Sequence, residues 1–235
     1  MRFIPIKTRL FLPPKDDLYQ LLDDYSSKLK NKDILVISSK ILSIHQGRCV
    51  KINPKTDKIK LIKKEANRYL PDKPHSLTIL DNTLTPYAGI DRSNGNGHYI
   101  LWPENINQSA KQIWQYLKEK YQLKNLGIII TDSFLLPLRQ GLIGISIGFH
   151  GFYPLKSYKG KKDIFGRKII RTNSDLVDAL SALAVVYMGE GNEQTPLLMI
   201  RGAEFIKFTS KNTTKDLLMP EKDDLYAPLL KSFSS

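Results

Sequence analysis

The chain has 235 residues, enough for one sizeable domain or two small subdomains around a buried core. At 41% hydrophobic, 25% charged and 9% aromatic it has a soluble globular balance, which excludes a disordered or fibrous protein. Lys and Arg number 36 against 23 Asp and Glu, and the resulting charge of +13 invites a nucleic-acid reading. Of those 36, however, 27 are Lys, and nucleic-acid surfaces favour Arg for bidentate and stacked contacts. The densest stretches, Lys51 to Lys64 and Lys156 to Lys168, are interleaved with Ile, Asp and Gly. A solvated lysine surface, or attraction for anionic small molecules, accounts for them more simply. One cysteine, Cys49, excludes an internal disulfide framework and a Cys-based zinc site, and it suits a reducing compartment. The clearest apolar stretch, Leu180 to Met188, is too short to cross a bilayer, and Met1 to Arg9 lacks the apolar run of a signal peptide. The expectation is a cytoplasmic protein with no membrane segment.

In chain order, Asp16 and Asp17 can cap a helix in which Leu18, Leu21, Leu22 and Tyr25 recur at helical spacing. Asp33 leads into Ile34 to Ile37, a short buried strand. Lys51 to Ile62 and Ile90 to Trp102 are turn-rich and β-prone. Ser109 with Gln112 forms a capping-box pattern that opens a helix to about Lys120, with Ala110, Ile113, Trp114 and Leu117 on its apolar face. Gly127 to Ile130 reads as a buried strand that stops at Thr131-Asp132. Gly141 to Arg171 is again β-prone, and its glycine-dense part, 141–151, marks a candidate subdomain boundary within one 1–235 unit. Ser174 caps a third helix with Val177, Leu180, Leu183, Ala184 and Met188 inward, ending at Gly189, and Pro196 to Ile200 supplies another strand. Helices and strands do not alternate strictly, so an α+β fold with mainly antiparallel pairing is expected.

The chain contains no phosphate loop, no dinucleotide fingerprint and no zinc-protease or serine-hydrolase motif. Its histidines (His45, His75, His98, His150) stand 23 or more residues apart, with no ligand spacing. Three segments combine acidic or amide side chains with turn-forming neighbours: Ala88 to Asn94, Ile130 to Ser133 and Met188 to Thr195. An Asp just past a buried strand is held on a rigid base, and Asp, Glu and Ser oxygens suit hard cations such as magnesium or manganese. A Gly189-Glu190-Gly191 turn can expose N–H groups to phosphate oxygens. Taken singly, each also reads as an ordinary turn, cap or helix end.

Read in order, these segments resemble the coenzyme F-420:glutamate ligase family, including its folate-associated bacterial branch. The resemblance runs from about Arg9 to Gly202. It rests on Asp16-Asp17-Leu18, Ser38-Ser-Lys-Ile-Leu-Ser43 with Gly47-Arg48, and Ala88-Gly-Ile-Asp-Arg-Ser-Asn94. It continues through Thr131-Asp-Ser133, Pro137-Leu-Arg139, Gly141, Ile147-Gly148, Gly151 and Asp163-Ile-Phe-Gly-Arg167. The last matches are Met188-Gly-Glu-Gly-Asn-Glu-Gln-Thr-Pro196 and Arg201-Gly202.

The resemblance implies two intertwined α+β subdomains with mainly antiparallel mixed sheets, assembled as a homodimer. It implies a ligase that joins L-glutamate to an acceptor carboxylate, folate-type in the first place and deazaflavin-type as the other choice. The co-substrate would be GTP or ATP, with two divalent cations (Mg or Mn) and, in many members, potassium. Carried over by motif, Asp91 and Asp132 hold one metal, Ser133 and Glu190 the second, and Asp91, Asp132 and Arg139 are the catalytic set. Nucleotide contacts fall on Arg9, Leu10, Phe11, Leu12, Ser39, Lys40 and Asn94, and on Met188, Gly189, Glu190, Gly191, Asn192, Glu193, Gln194 and Thr195. Arg139, Arg167, Arg171 and Lys161 are candidates for the anionic acceptor or glutamate. Three places depart from the family pattern: Ile44 where a lysine is usual, Gln46 where an acid is usual, and Leu135-Leu136 where Gly-Arg is usual. Two readings of other classes compete, a basic nucleic-acid-binding protein and a metal-dependent nucleotide hydrolase without ligase activity.

Overall fold

A computed structural model describes residues 1–70 and 77–234; His75 lies outside the described residues. The elements run β1 (Arg2–Ile6), α1 (Leu18–Tyr25), β2 (Asp33–Ser38), α2 (Ser39–His45), β3 (Cys49–Lys51), α3 (Lys58–Glu65) and β4 (Arg68–Tyr69). They continue as β5 (Leu77–Leu80), β6 (Thr83–Pro86), β7 (His98–Ile100), α4 (Ile106–Lys120), β8 (Leu126–Leu135) and β9 (Leu142–His150). The last are β10 (Leu155–Ser157), β11 (Asn173–Asp175), α5 (Leu176–Met188), β12 (Leu197–Arg201), α6 (Thr214–Leu217) and α7 (Ala227–Leu230).

Five strands form the central sheet in the order β1-β12-β2-β8-β9. Within it β2 and β8 run parallel, and the other neighbours are antiparallel. The small sheets β3-β7, β4-β5-β6 and β10-β11 are antiparallel too, so the fold is mixed α+β with mainly antiparallel pairing. Alternation along the strands divides the core into two faces. Leu35 and Ile37 of β2, Ile128 and Ile130 of β8, and Leu197 and Met199 of β12 join the apolar faces of α1, α2 and α4. Ile34, Val36, Ile129, Leu198 and Ile200 face the other way, onto Val177, Leu180, Ala184 and Met188 of α5. A sheet covered on both faces needs apolar residues at every position, which is why these strands read as unbroken hydrophobic runs.

The local expectations meet several corrections. Asp17 does cap α1, accepting from the N–H groups of Tyr19 (2.8 Å) and Gln20 (3.3 Å). Helix α4 opens earlier than expected, at Ile106, because Ile106 is itself buried and extends the apolar face by a turn. Ser109 therefore lies inside the helix and caps nothing; its N–H donates to the Asn105 carbonyl at 2.9 Å. Helix α5 is capped by Asp175, which accepts from Asp178 N–H at 3.0 Å, while Ser174 sits in β11. Leu183 is 45% exposed and not in the core. The Lys51–Ile62 segment is mostly not strand: α3 begins at Lys58, where Asp57 accepts from the Ile59 and Lys60 N–H groups. Strand β8 does not stop at Thr131-Asp132; it runs on to Leu135 through a bulge. Residues 141–151 are largely β9, paired with β8 along its length. No helix among the described residues is long and apolar enough to cross a membrane.

Candidate active site

Strand polarity brings the expected segments to one edge of the central sheet. The parallel strands β2 and β8 end side by side, with Ser38 opposite Thr131. Because β12 is antiparallel to β2, its beginning lies at that same edge, with Leu197 opposite Ile37. The 189–196 loop therefore arrives there, fixed by Ser38 N–H donating to the Pro196 carbonyl at 2.9 Å. Strand β1 finishes at the same edge, Ile6 opposite Leu197, and Thr8 N–H donates to the Gln194 carbonyl at 2.9 Å. Loops at the carboxyl ends of parallel strands are a common place for ligands.

At the bulge, Ile130 pairs with Gly148 and Thr131 with Ser146, leaving Ile147 as the extra residue of β9. Beyond it, consecutive β8 residues point to opposite faces. Asp132 turns toward α2, where Ser39 and Lys40 open the helix, and Ser133 turns toward the loop that leaves α5. Two clusters result.

The first is built on Asp91. Lys40 Nζ lies 2.6 Å from Asp91 Oδ2 and donates to Ser93 Oγ at 2.7 Å. Ser93 in turn donates its N–H to Asp91 Oδ1 (2.8 Å) and its hydroxyl to Oδ2 (2.6 Å). Burial raises the Asp91 pKa, but the charge and hydrogen bond of Lys40, with Ser93, outweigh it and hold the carboxyl below its ordinary value. Asp132, close enough to feel both Lys40 and Asp91, goes the other way. Burial pushes it up to about 6 and the Asp91 charge adds to that, against the Ser133 N–H, Lys40 and the Ser39 hydroxyl.

The second cluster pairs Ser133 Oγ, as donor, with Glu190 Oε1 at 2.6 Å. Asn94 Nδ2 donates to the Gly191 carbonyl at 3.0 Å and so ties the Asp91 loop to the Glu190 loop. Gly189 ends α5 at φ 80, a left-handed conformation suited to glycine, and Glu193 folds back so that its carboxylate accepts from Gly191 N–H at 2.8 Å. A Cβ on Gly189 would stand 2.3 Å from the Glu193 carboxyl carbon. The Thr195 hydroxyl bonds back to the Met188 carbonyl and closes the loop, while Asn192 and Gln194 are exposed.

Other expected residues stand apart from these clusters. The Arg9 guanidinium is engaged by Asp16 (2.7 and 2.8 Å), and that ion pair, with two N–H donors, lowers Asp16 to about 2. Phe11 packs against the core, while Leu10 and Leu12 are exposed. Arg139 is exposed on the β8–β9 turn, and Lys161, Arg167 and Arg171 are exposed between β10 and β11. None of these four forms an ion pair among the described residues. Ile44 is buried in α2, and Gln46 exchanges hydrogen bonds with the backbone of Glu104, both at 2.8 Å. Ser93 is a neighbour of Asp91 and Lys40 to which no motif assigns a role. The signal was available: Asp-x-Ser is the pattern of an Asx-turn.

Among the described residues, no three His, Cys, Asp or Glu side chains are close enough to form a ready metal cage. The donor chemistry nonetheless fits hard cations. Asp91 and Asp132 offer carboxylates on one face, Ser133 and Glu190 a hydroxyl and a carboxylate on the other, and an ammonium already neutralises Asp91.

The family described as F420-0:Gamma-glutamyl ligase matches residues 6–202. A coenzyme F420:L-glutamate ligase of Methanocaldococcus jannaschii is 31% identical over 228 residues, covering 89% of this chain and 90% of the relative. The protein of the same name from Methanococcus maripaludis is 32% identical over 227 residues, with the same coverage. That of Methanopyrus kandleri is 26% identical over 247 residues, covering 96% and 97%. The chain belongs to the F420-0:γ-glutamyl ligase family.

Proposed function

We propose that this protein joins L-glutamate to the carboxylate of a cofactor-type acceptor, activating that carboxylate with GTP or ATP and two divalent cations, Mg or Mn. Membership of a γ-glutamyl ligase family supports the reaction class. The observation that carries the proposal further is the meeting of Asp91, Asp132, Ser133 and Glu190, from three distant segments, at one sheet edge. Their acidic oxygens lie beside Lys40, Asn94 and the Gly189–Gly191 turn, groups able to hold phosphate.

Amide formation between an amine and a carboxylate needs the carboxylate made electrophilic. An acceptor oxygen attacks the γ-phosphorus, the bond to the β–γ bridging oxygen breaks, and the nucleoside diphosphate leaves with that electron pair. The glutamate nitrogen then attacks the acyl carbon of the acyl phosphate, inorganic phosphate departs with the C–O electron pair, and the amine gives up a proton. Both steps bring anion against anion, so charge repulsion is the main obstacle. The two cations, when bound, supply neutralisation of the phosphate oxygens. Asp91 and Asp132 would hold one and Ser133 and Glu190 the other, on opposite faces of one strand. Positioning of this kind is worth several kcal/mol of barrier, of the order of ~7 kcal/mol in favourable cases.

For the acceptor, the relatives' names support a deazaflavin-type molecule. The Asp132-Ser133…Pro137-Leu138-Arg139 form and the Gly191-Asn-Glu-Gln-Thr-Pro196 run resemble the folate-type branch. A homodimer is part of the proposal. Leu135, Leu136, Leu138 and Leu142 all project from the end of the β8–β9 hairpin, an apolar cluster that a monomer would leave in water.

The test is mass spectrometry of the protein incubated with isotopically labelled glutamate, GTP or ATP, metal, and each acceptor in turn. A gain of one glutamyl mass on a single acceptor, dependent on nucleotide and metal, is the expected result. Phosphate release at full rate without glutamate or acceptor would instead make the protein a hydrolase and overturn the proposal.

A further inference from the structure

We propose that Lys40 is a resident counter-cation: its ammonium holds the Asp91 side of the site in the metal-free protein, and a divalent cation must expel it to bind. The inference rests on the metal reading above and adds a role for one residue. Every oxygen of Asp91 is already engaged. Oδ2 takes the Lys40 ammonium at 2.6 Å and the Ser93 hydroxyl at 2.6 Å, and Oδ1 takes the Ser93 N–H at 2.8 Å. The ammonium is also held by Ser93 Oγ at 2.7 Å, and its charge reaches Asp132 as well. It therefore sits among the oxygens a metal would use.

A divalent ion and an ammonium cannot share that place, because like charges a few ångströms apart repel strongly in a half-buried site. The Lys40 backbone is fixed, since Ile41, Leu42 and Ile44 bury the helix it belongs to. Its side chain is 26% exposed on a flexible four-carbon stem, so the ammonium can swing away while the helix stays. Released, it is free for an anion, and the anion that arrives with the metal is the triphosphate. Metal and nucleotide are thereby coupled: the cation that enters at Asp91 frees one positive charge for the phosphates.

The consequence is a split in sign that neither a purely phosphate-binding lysine nor a structural one would give. In Lys40→Met, Mn²⁺ affinity measured without nucleotide, from the EPR signal of free Mn²⁺, should rise by about tenfold, the scale on which one neighbouring charge alters a carboxylate's affinity for a cation. Nucleotide affinity measured with Mn²⁺ present should fall. Lys40→Gln, which keeps a polar group beside Ser93, should behave alike and serves if the Met variant fails to fold. Lys40→Arg, which keeps the charge, should leave Mn²⁺ affinity at or below the wild-type value. Unchanged or weaker Mn²⁺ binding by the neutral variants, with measurable binding by the wild type, overturns the role of Lys40 alone. Absence of Mn²⁺ binding by every one of these proteins overturns both this role and the metal reading beneath it.

Discussion

Asp91 and Asp132 are close neighbours whose surroundings drive their protonation in opposite directions, Asp91 below and Asp132 up to about 6. Two carboxylates separated in this way can take different parts in one site. The folded pKa of Asp132, about 6, exceeds the ordinary 3.8, so the fold binds this proton more tightly than the unfolded chain. The penalty for ionising it is absent below the unfolded value, grows through the interval, and is complete above the folded value. Removing the charge should therefore help the metal-free fold at neutral pH. Asp132→Asn can still accept the Ser133 N–H. We expect it to gain about 1–2 kcal/mol of stability at pH 8 and little at pH 3.5, read by thermal or denaturant unfolding in the presence of chelator. The same variant should lose ligase turnover by a hundredfold or more (roughly the loss of one preorganised electrostatic group). An Asp132→Asn protein that is folded and fully active would remove Asp132 from the catalytic set. In the wild type, turnover should fall below a pH near 6, and the acid limb should move to lower pH as metal concentration rises, because metal and proton compete for one carboxylate.

At the scale of elements, the bulge in the β8–β9 pair and the glycines around it place the site. Gly148, before the bulge in the ladder with β8, lies under α4: a Cβ there would meet Ile106 Cγ2 at 2.5 Å. Gly144, beyond it, lies under α5, where a Cβ would meet the Ser181 carbonyl oxygen at 2.3 Å and Val185 Cγ2 at 2.5 Å. Both are even-numbered residues of one strand, and they face opposite layers because Ile147 is the extra residue between them. Gly144→Ala should push α5 off the sheet at a cost of about 1–3 kcal/mol. Since α5 delivers the Glu190 loop, activity should fall with it; Tm and turnover of that variant, compared with the wild type, measure both. These contacts also say what the sequence could reveal. The buried strands, the Asp17 cap, the α5 terminus at Gly189 and the three acidic segments were legible because each is written in local spacing or in ordered motifs. The start of α4 was not, because burial of Ile106 depends on a glycine in β9 some forty residues later. The bulge was not, because an extra residue is defined only against a partner strand. Arg9 matched a nucleotide-contact position, yet its guanidinium lies on Asp16, a pairing that no motif records.

Across the whole molecule the charge of +13 remains to be used, and it is spread over lysines. The proposed substrates are all anions: a triphosphate, glutamate and a carboxylate acceptor. A diffuse positive field concentrates such ligands and speeds their encounter without specifying any of them. Salt weakens that field, since the screening length is about 8 Å at physiological ionic strength. Raising salt from about 50 to 200 mM should therefore raise KM for nucleotide several-fold while kcat changes little, because the charges next to the reacting groups are half-buried and poorly screened. A protein built to bind a phosphate backbone behaves differently. Neutralising six to ten phosphates at once, it would lose about a thousandfold or more in affinity over the same interval. It would also bind an oligonucleotide without metal. Titrating a labelled duplex with the metal-free protein across that salt range separates the two. We expect weak, shallow and sequence-independent binding, since the Lys51–Lys64 stretch runs from β3 into α3 and the Lys156–Lys168 stretch from β10 into the β10–β11 connection, each interleaved with Ile and Asp. Tight binding with a steep salt slope would mean that the charge serves nucleic acid, and that the acidic site at the sheet edge serves something other than ligation.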